Sequence, residues 1–469
     1  MTLPANSQRW HELHALLALA VPLAVAQVGQ MAMAVTTGVQ LGHLNSLALA
    51  AGGLGASITS VLVLVSQGVL AGIQPIIAQA RGRGDAQTQE AYAAALWASL
   101  ALALLASLLI VPLLMNLPPL LELLGVERDI AGLTAIYCRS FAWGVPAILV
   151  YAPLRYYLAA LEQIRVILLL AFAGAALNAV LGGLLIFGSG HWAGLGVAGG
   201  GLALSITWWC MLLALAGYIV RHRRLPQAPL PGWSALRHGM REVFAVGWPI
   251  GGLYAAEIGL VTLATVQIAR FSPVELGAHL ICMNIVNIIF MAPLALSQAA
   301  TIRVATFIGL NQPGAARRSG WTALLLASLF MMLAGLVVTW QQPRIVALFL
   351  QSDDENFAAI LDLSRSLFFI LALYFVFDGI QTVATGALRG LRDTRAPMLI
   401  CLGGYWGLAF PVGLFLAQGF NWGAAGFWSG YSLGLAAVAI LLTRRWHHLT
   451  HHLTSRRNGI PVHVTAGSL

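Results

Sequence analysis

The chain has 469 residues, of which 59% are hydrophobic and only 9% are charged, and its mean hydropathy is +0.83. An average soluble domain carries roughly 25% charged residues, so this composition excludes a soluble fold and predicts an all-α, multi-span membrane protein. The net charge of +9 comes from arginine alone, and these arginines stand singly or in small groups between apolar stretches, which marks membrane topology and argues against nucleic-acid binding.

Twelve apolar stretches follow one another, each long enough for a bilayer core that needs about 20 residues per helix. The first is too long for the apolar region of a cleaved signal peptide, so we expect it to remain as a span. Kinks are expected at Pro22, Pro146, Pro249 and Pro293. The predicted spans are 14–42, 47–80, 91–116, 131–157, 166–188, 194–220, 243–270, 274–309, 319–340, 357–388, 397–418 and 422–443.

The arginines predict an orientation for these spans. If the N-terminus is cytoplasmic, 20 of the 25 arginines fall on the cytoplasmic side and at most five on the other. By the positive-inside rule, both termini are expected in the cytoplasm, as in a multi-pass protein of the bacterial inner membrane. The basic, proline-rich segment after the sixth span divides the chain into an N-terminal six-helix bundle (1–220), a cytoplasmic linker (221–242), a C-terminal six-helix bundle (243–445) and a cytoplasmic tail (446–469).

The two halves match each other without gaps at one constant offset in residue number. An offset shared by the first and last helices of each half favours an internal repeat over a chance match of apolar helices. Two such bundles are an architecture of secondary transporters, with the substrate site near the midplane. The matches include Pro22 with Pro249, Gln40 with Gln267, Gly82 with Gly309 and Gly196 with Gly423.

Two acidic residues, Glu257 and Asp378, stand near the middle of predicted spans, whereas nearly all other acids lie at span ends or in loops. Each is separated in sequence from the nearest other charge by about three helical turns or more. A carboxylate at mid-span costs roughly 2.5–3.5 kcal/mol on insertion scales. Each acid is either protonated and hydrogen-bonded between helices, or part of a site for a coupling ion. Both a proton and Na+ suit such a site, and the sequence does not choose between them.

Polar and aromatic residues near these acids are candidates for the same site or for a substrate cavity. Tyr374 precedes Asp378 by four residues, so its phenol lies on the same face of the helix. Phe290 and Phe375 are candidates for cation–π contact with a lipophilic cation, although packing is the commoner role of such rings. The eighth span adds two amides that either line the cavity or join helices, Asn284 and Asn287.

Three segments have a sequence typical of one transporter family. They are Pro75–Gly84 at the end of the second span, Asn284–Val304 in the eighth, and Gly386–Asp393 after the tenth. Together they resemble the multidrug and toxic compound extrusion (MATE) family, and within it the bacterial NorM-type branch. The resemblance spans most of the chain and implies a twelve-helix antiporter that exports organic compounds, often cations, by alternating access.

The same resemblance implies roles for three residues. In the NorM-type branch, a glutamate eight residues after a proline in the seventh helix contributes to cation binding, and so does a tyrosine four residues before an aspartate in the tenth. Glu257 follows Pro249 by eight residues, and Tyr374 precedes Asp378 by four, so these residues match. The coupling ion implied is Na+ or H+, with no other cofactor or metal.

The first helix departs from the family pattern. Many members carry an aspartate five residues before the glycine that ends this helix, but here Thr37 stands five residues before Gly42, directly after Thr36. Neither threonine ionises, so we expect coupling to reside in the C-terminal half. Gln30, the repeat partner of Glu257, either bonds substrate or joins helices. The two threonines and Gln30 are therefore further candidates for the substrate cavity.

Two other functions remain as alternatives. A flippase for lipid-linked saccharides would present several arginines to an anionic substrate, and only Arg139 and Arg365 lie near spans. An intramembrane enzyme would use Glu257 and Asp378 as an acid pair, but the sequence offers no third catalytic group at membrane depth. We therefore expect a secondary active transporter and not an enzyme. Its partners are expected to be small organic molecules and the lipid bilayer, and the protein is expected to be monomeric.

Two groups of histidines resemble metal sites in their spacing. His11–His14 misses the zinc-protease spacing by one residue. The histidines of His447–His452 have helical spacing, but they stand beside two arginines after the last span and favour an interfacial or disordered tail. Neither group predicts a metal site.

Overall fold

The computed structural model describes residues 5–85, 87–123, 125–190, 192–226, 228–350 and 355–457. Within these ranges, eleven helical spans are long and apolar enough to cross a membrane. A twelfth is completed by the pair Arg128–Ala142 and Val145–Ala160, which is bent by 49°. The expected all-α fold with twelve spans is thus confirmed.

The two halves of the chain form similar successions of long and short helices. The first half contains α1 (Ala5–Gly42), α2 (Ser46–Leu70), α3 (Ile73–Arg83), α4 (Thr88–Met115), α5 (Pro118–Leu123), α6 (Arg128–Ala142), α7 (Val145–Ala160), α8 (Ile164–Phe187) and α9 (Val197–Arg221). The second half contains α10 (Trp233–Ile268), α11 (Pro273–Ile289), α12 (Met291–Gly309), α13 (Pro313–Trp340), α14 (Gln342–Phe349), α15 (Phe357–Gly390), α16 (Arg395–Leu402), a π-helical segment (Gly403–Ala409), α17 (Phe410–Gly419) and α18 (Gly423–Arg457).

The helix bounds confirm the internal repeat. The shift in numbering that relates Pro22 to Pro249 places both ends of α1 within one residue of the ends of α10. The same shift places the start of α9 within one residue of the start of α18. Even the short helices α5 and α14, which the hydropathy pattern did not predict, occupy matching positions. The bent pair α6 and α7 corresponds to the single long helix α15.

Prolines break the helices at two of the four expected places. A proline has no N–H group, so it leaves the carbonyl four residues earlier without its helical partner. The chain accordingly breaks at Phe290, just before Pro293, and between α6 and α7, just before Pro146. By contrast, α1 and α10 continue through Pro22 and Pro249 without interruption.

The described residues form two compact units that do not coincide with the two sequence halves. One, which we call the central unit, is Pro22–Ala255; the other, the composite unit, consists of the described residues before Pro22 and after Ala255. In the composite unit, the start of α1 is tied to α12 by a two-pronged ion pair. Arg303 donates from Nε and Nη2 to the two carboxylate oxygens of Glu12, at 3.1 and 2.6 Å. The unit boundaries therefore fall inside α1 and α10.

Two helices extend beyond the predicted span ends. Helix α10 begins at Trp233, directly after the helix-breaking pair Pro231 and Gly232, so the second part of the segment 221–242 is helical. Helix α18 continues to Arg457 and includes the tail histidines. Residues 458–469 of the predicted tail lie outside the described residues.

Candidate functional site

The composite unit brings the two mid-span acids to the same depth. Glu257 lies about three turns before the end of α10, and Asp378 lies about three turns before the end of α15. At a rise of about 1.5 Å per residue, each is about 16–18 Å from its helix end. Because the tenth span runs opposite to the seventh, these distances are measured from opposite ends and place both carboxyls near the middle.

Asp378 lies in the protein interior, where one of its two carboxyl oxygens accepts a hydrogen bond and the other accepts none from the described residues. Its side chain is 1% exposed. Oδ1 accepts a hydrogen bond from Gln381 Nε2 at 3.3 Å, whereas Oδ2 has no hydrogen-bond partner among the described residues. Neither Asp378 nor the partly exposed Glu257 forms an ion pair within the part of the chain that the structure describes. The site therefore contains carboxyl groups that no described side chain neutralises.

A hydrogen bond from Tyr405 orients the Gln381 amide toward Asp378. The hydroxyl of Tyr405 donates to Gln381 Oε1 at 2.9 Å, so the amide nitrogen must face the carboxylate. Tyr405 belongs to the π-helical segment, whose wider turn differs from that of an α-helix. The thiol of Cys401, one of the free cysteines, also lies 3.8 Å from Gln381 Oε1. This set of contacts fixes the donor on which Asp378 depends.

Three tyrosines and a tryptophan surround the acids. The ring of Tyr374 lies edge-to-face against Trp428 and Tyr431, with centroids 5.4 and 5.2 Å apart. The rings of Tyr405 and Tyr431 are 6.4 Å apart. Tyr405 reaches Asp378 through Gln381, and Tyr374 lies one turn before Asp378 on α15. The arrangement offers carboxylate and phenol oxygens, which suit a proton or Na+, inside an aromatic wall.

The structure separates the other candidate residues into different surroundings. Phe375 is fully enclosed, so its ring packs in the interior of the composite unit and does not line an open cavity. Asn284 and Asn287 are exposed on α11, and Asn284 donates to the carbonyl of Leu280 in its own helix. Phe290 stands at the break between α11 and α12, partly exposed.

The remaining candidates, Thr37, Thr36 and Gln30, lie in the central unit and are all neutral. Thr37 is buried; its hydroxyl donates to the carbonyl of Met33 at 3.0 Å and accepts from Asn178 Nδ2 at 3.0 Å. Asn178 also donates to Met33 at 3.1 Å. Thr36 and Gln30 are partly exposed on the same helix. The threonine that replaces the family's usual aspartate thus joins α1 to α8.

The two acids, Tyr374, Gln381, Tyr405 and Tyr431 together are called the acid cluster below. Sequence reasoning missed three of these residues. Gln381 follows Asp378 by three residues and shares its helix face, a spacing that could have drawn attention to it. Tyr405 and Tyr431 come from the eleventh and twelfth spans, and no sequence spacing relates them to Asp378. The π-helical segment that contains Tyr405 has no signature in the apolar pattern.

The twelve spans and the pair of acids within them define the class of this protein as a multi-span membrane transporter fold. The solved structure of the eukaryotic MATE transporter AtDTX14 superposes with a TM-score of 0.84 over 96% of this chain and 99% of that one, at 20% identity. The chain is 39% identical to the multidrug resistance protein NorM of Burkholderia vietnamiensis, with 93% of this chain and 94% of that protein covered.

A probable multidrug resistance protein NorM of Burkholderia pseudomallei is 38% identical, with 92% of this chain and 91% of that protein covered. The MatE family matches residues 22–185 and 249–415, one segment in each half. The chain therefore belongs to the MatE family, as its sequence motifs predicted. The members of this family are transporters and not enzymes, so the intramembrane enzyme is excluded.

Proposed function

We propose that this protein is a secondary active exporter of organic compounds that exchanges its substrate for a cation bound at Glu257 and Asp378. One observation carries the proposal: two carboxyls lie at mid-membrane depth in the same compact unit and form no ion pair with any described residue. A carboxylate in this position is strongly disfavoured unless something neutralises it. A cation that binds and leaves would neutralise the site in one state of the transport cycle only.

The aromatic residues and Gln381 give the site its selectivity in this proposal. Tyr374 supplies a phenol oxygen one turn before Asp378, and Gln381 stabilises the carboxylate after the cation has left. The ion alternates between bound and released states as the transporter opens to either face. Substrate export is then coupled to the ion because release of one accompanies binding of the other.

The substrate class follows from the family relatives. Both Burkholderia proteins are named as multidrug resistance proteins. We extend this to the present chain and propose bulky organic molecules, often cationic, as its substrates. We further propose that the chain works as a monomer in the bacterial inner membrane, with both termini in the cytoplasm, as its arginine distribution predicts.

The positions of Arg139 and Arg365 argue against a lipid-linked saccharide flippase. Arg139 is exposed and donates to the carbonyl of Met115, and Arg365 is exposed beside Asp362. Both lie on helix surfaces, and neither is among the residues that form the acid cluster. Neither is placed to receive the pyrophosphate of such a substrate within this site.

The proposal is tested by neutralising each acid without changing its shape. Glu257→Gln and Asp378→Asn are expressed in an efflux-deficient bacterial host, and ethidium extrusion is measured at equal membrane abundance. We expect both variants to lose extrusion because the cation no longer has its charged ligand. Wild-type extrusion in both would refute the assignment.

A further inference from the structure

An open groove lies on the surface of the composite unit, where α13, α15 and α18 pack together. Its volume is about 370 Å³. Along α18 its lining extends from Ala439 to His447, which corresponds to about 12 Å of helix. No residue of the acid cluster is among the described residues that line it. The groove is therefore separate from the candidate coupling site.

The groove is apolar at one end and polar at the other. Phe377, Ile380 and Ile440 line the end nearer to the middle of the spans, and the side chain of Ile440 is 50% exposed. Trp321 and Arg444 line the other end. Arg444 is the first residue after the predicted twelfth span, so this end lies at the membrane surface. A phospholipid has the same order of parts, with a charged head group at the surface and acyl chains toward the middle.

The surface end of the groove carries positive charge that no described residue neutralises. Arg444 is exposed and forms no ion pair with any described residue. Its neighbour Arg445 differs, because its Nε donates to Oδ2 of Asp393 at 2.6 Å. On α13, Arg317 stands one turn before the tryptophan of the groove, on the same helix face, and it too forms no ion pair within the described ranges. This end therefore attracts an anionic group and disfavours a cationic one.

Aromatic contacts hold the surface end of the groove together. The rings of Trp321 and His447 meet edge-to-face with their centroids 6.4 Å apart, which joins α13 to α18. Beside them, Gly320 leaves no room for a side chain against the buried ring of Trp446, so the two helices approach closely. Tryptophan is enriched at the level of lipid head groups, and its indole N–H is a hydrogen-bond donor that suits a phosphate oxygen.

The other half of the chain lacks these groups at the equivalent positions of its last helix. The offset that aligns the starts of α9 and α18 to within one residue relates Arg444 to Gly217 and His447 to Val220. The repeated fold alone therefore does not require a cation and an imidazole at this place.

We propose that the groove binds an anionic phospholipid of the cytoplasmic leaflet, with its phosphate at Arg444 and Trp321 and an acyl chain along Phe377 and Ile440. The inference goes beyond the proposed function and does not depend on the acid cluster. An arginine near the membrane surface strengthens the binding of an anionic lipid. The apolar end of the groove gives the acyl chain a surface that a free phosphate would not use.

The test uses the full-length protein, purified and delipidated in a neutral detergent, and native mass spectrometry measures the affinity of the first bound lipid. Phosphatidylglycerol and phosphatidylcholine with identical acyl chains are compared, because only the first carries a net negative charge. The wild type should bind phosphatidylglycerol more tightly. Arg444→Gln should weaken that binding about fivefold and leave the affinity for phosphatidylcholine unchanged. Arg221→Gln, which alters an exposed arginine at the end of α9, is the matched control and should bind both lipids like the wild type.

Two results would overturn the site. One is wild-type affinity of Arg444→Gln for phosphatidylglycerol. The other is an equal loss in Arg221→Gln, which would indicate a general attraction of anionic lipid to basic surface. Glycerol 1-phosphate, which has the phosphate but no acyl chains, serves as a competitor. It should not displace phosphatidylglycerol at equal concentration, and displacement would replace the lipid with a soluble phosphate and contradict the proposal.

Discussion

The two halves of the chain share one helical scaffold but place different chemistry at equivalent positions. In the C-terminal half, the scaffold carries two acids, an amide and a tyrosine in one cluster. In the N-terminal half, the residues at the same positions are all neutral, and one is apolar. The constant offset between the halves relates Gln30 to Glu257, Tyr151 to Asp378, Leu154 to Gln381 and Asn178 to Tyr405.

The difference shows that the helical scaffold alone does not create a coupling site. In the central unit, Thr37 and Asn178 bond each other, and the polar atoms left without partners, such as the hydroxyl of Tyr151, are neutral. An unpaired neutral group costs about 1–3 kcal/mol when buried, and it needs no counter-ion. The carboxylate of Asp378, by contrast, needs a counter-ion when it is ionised. We therefore attribute coupling to the composite unit.

The largest effect is expected from placing an acid in the central unit. Tyr151→Asp puts a carboxyl where no glutamine is present to bond it, because Leu154 stands at the position equivalent to Gln381. We expect the free energy of unfolding in detergent micelles to fall by about 3 kcal/mol. Tyr151→Phe is the control; it removes a buried hydroxyl that has no partner among the described residues, so stability should not fall and should rise by up to about 1–3 kcal/mol. Full stability of Tyr151→Asp would remove the distinction between the units.

A smaller effect is expected from making the composite unit resemble the central one at a single position. Gln381→Leu removes the donor to Asp378, so the empty carboxylate loses stabilisation relative to its cation-bound form. A hydrogen bond to a charged group contributes about 1.5–3 kcal/mol, so half-maximal transport should require about tenfold less coupling ion. Transport in liposomes at varied ion concentration measures the concentration of coupling ion that gives half-maximal transport.

Tyr405→Phe is the matched control for that substitution. It removes only the bond that orients Gln381 and leaves the donor to Asp378 in place, so its shift should be smaller. An unchanged ion dependence in Gln381→Leu would mean that the glutamine does not act on the carboxylate.

The smallest effect is expected at Thr37. Thr37→Val removes the hydroxyl that joins α1 to α8, but Asn178 keeps its bond to the carbonyl of Met33. We expect a loss of stability of about 1 kcal/mol and unchanged gradient-driven transport. Loss of coupling in this variant, with its folded abundance intact, would show that the central unit takes part in ion exchange.

The sequence predicted the features of the molecule that depend on solvation. Apolar stretches of about 20 residues identify spans, and acids far from other charges identify Glu257 and Asp378, because hydrocarbon penalises both exposed backbone and bare charge. Tyr374 was found through helical spacing and family resemblance.

Contacts between distant segments could not be predicted in this way. Gln381 meets Tyr405, which lies 24 residues further along the chain, and Glu12 meets Arg303, which is 291 residues away. The second contact draws the start of α1 into the composite unit, which hydropathy alone does not indicate.

The most direct measurement is ethidium transport by the purified protein in liposomes, with a proton or Na+ gradient applied separately. The wild type should transport against a concentration gradient when the coupling ion is supplied. Glu257→Gln and Asp378→Asn should still bind ethidium but show no gradient-driven transport. Gradient-driven transport at the wild-type rate in both variants would contradict the assignment of coupling to these two carboxyls.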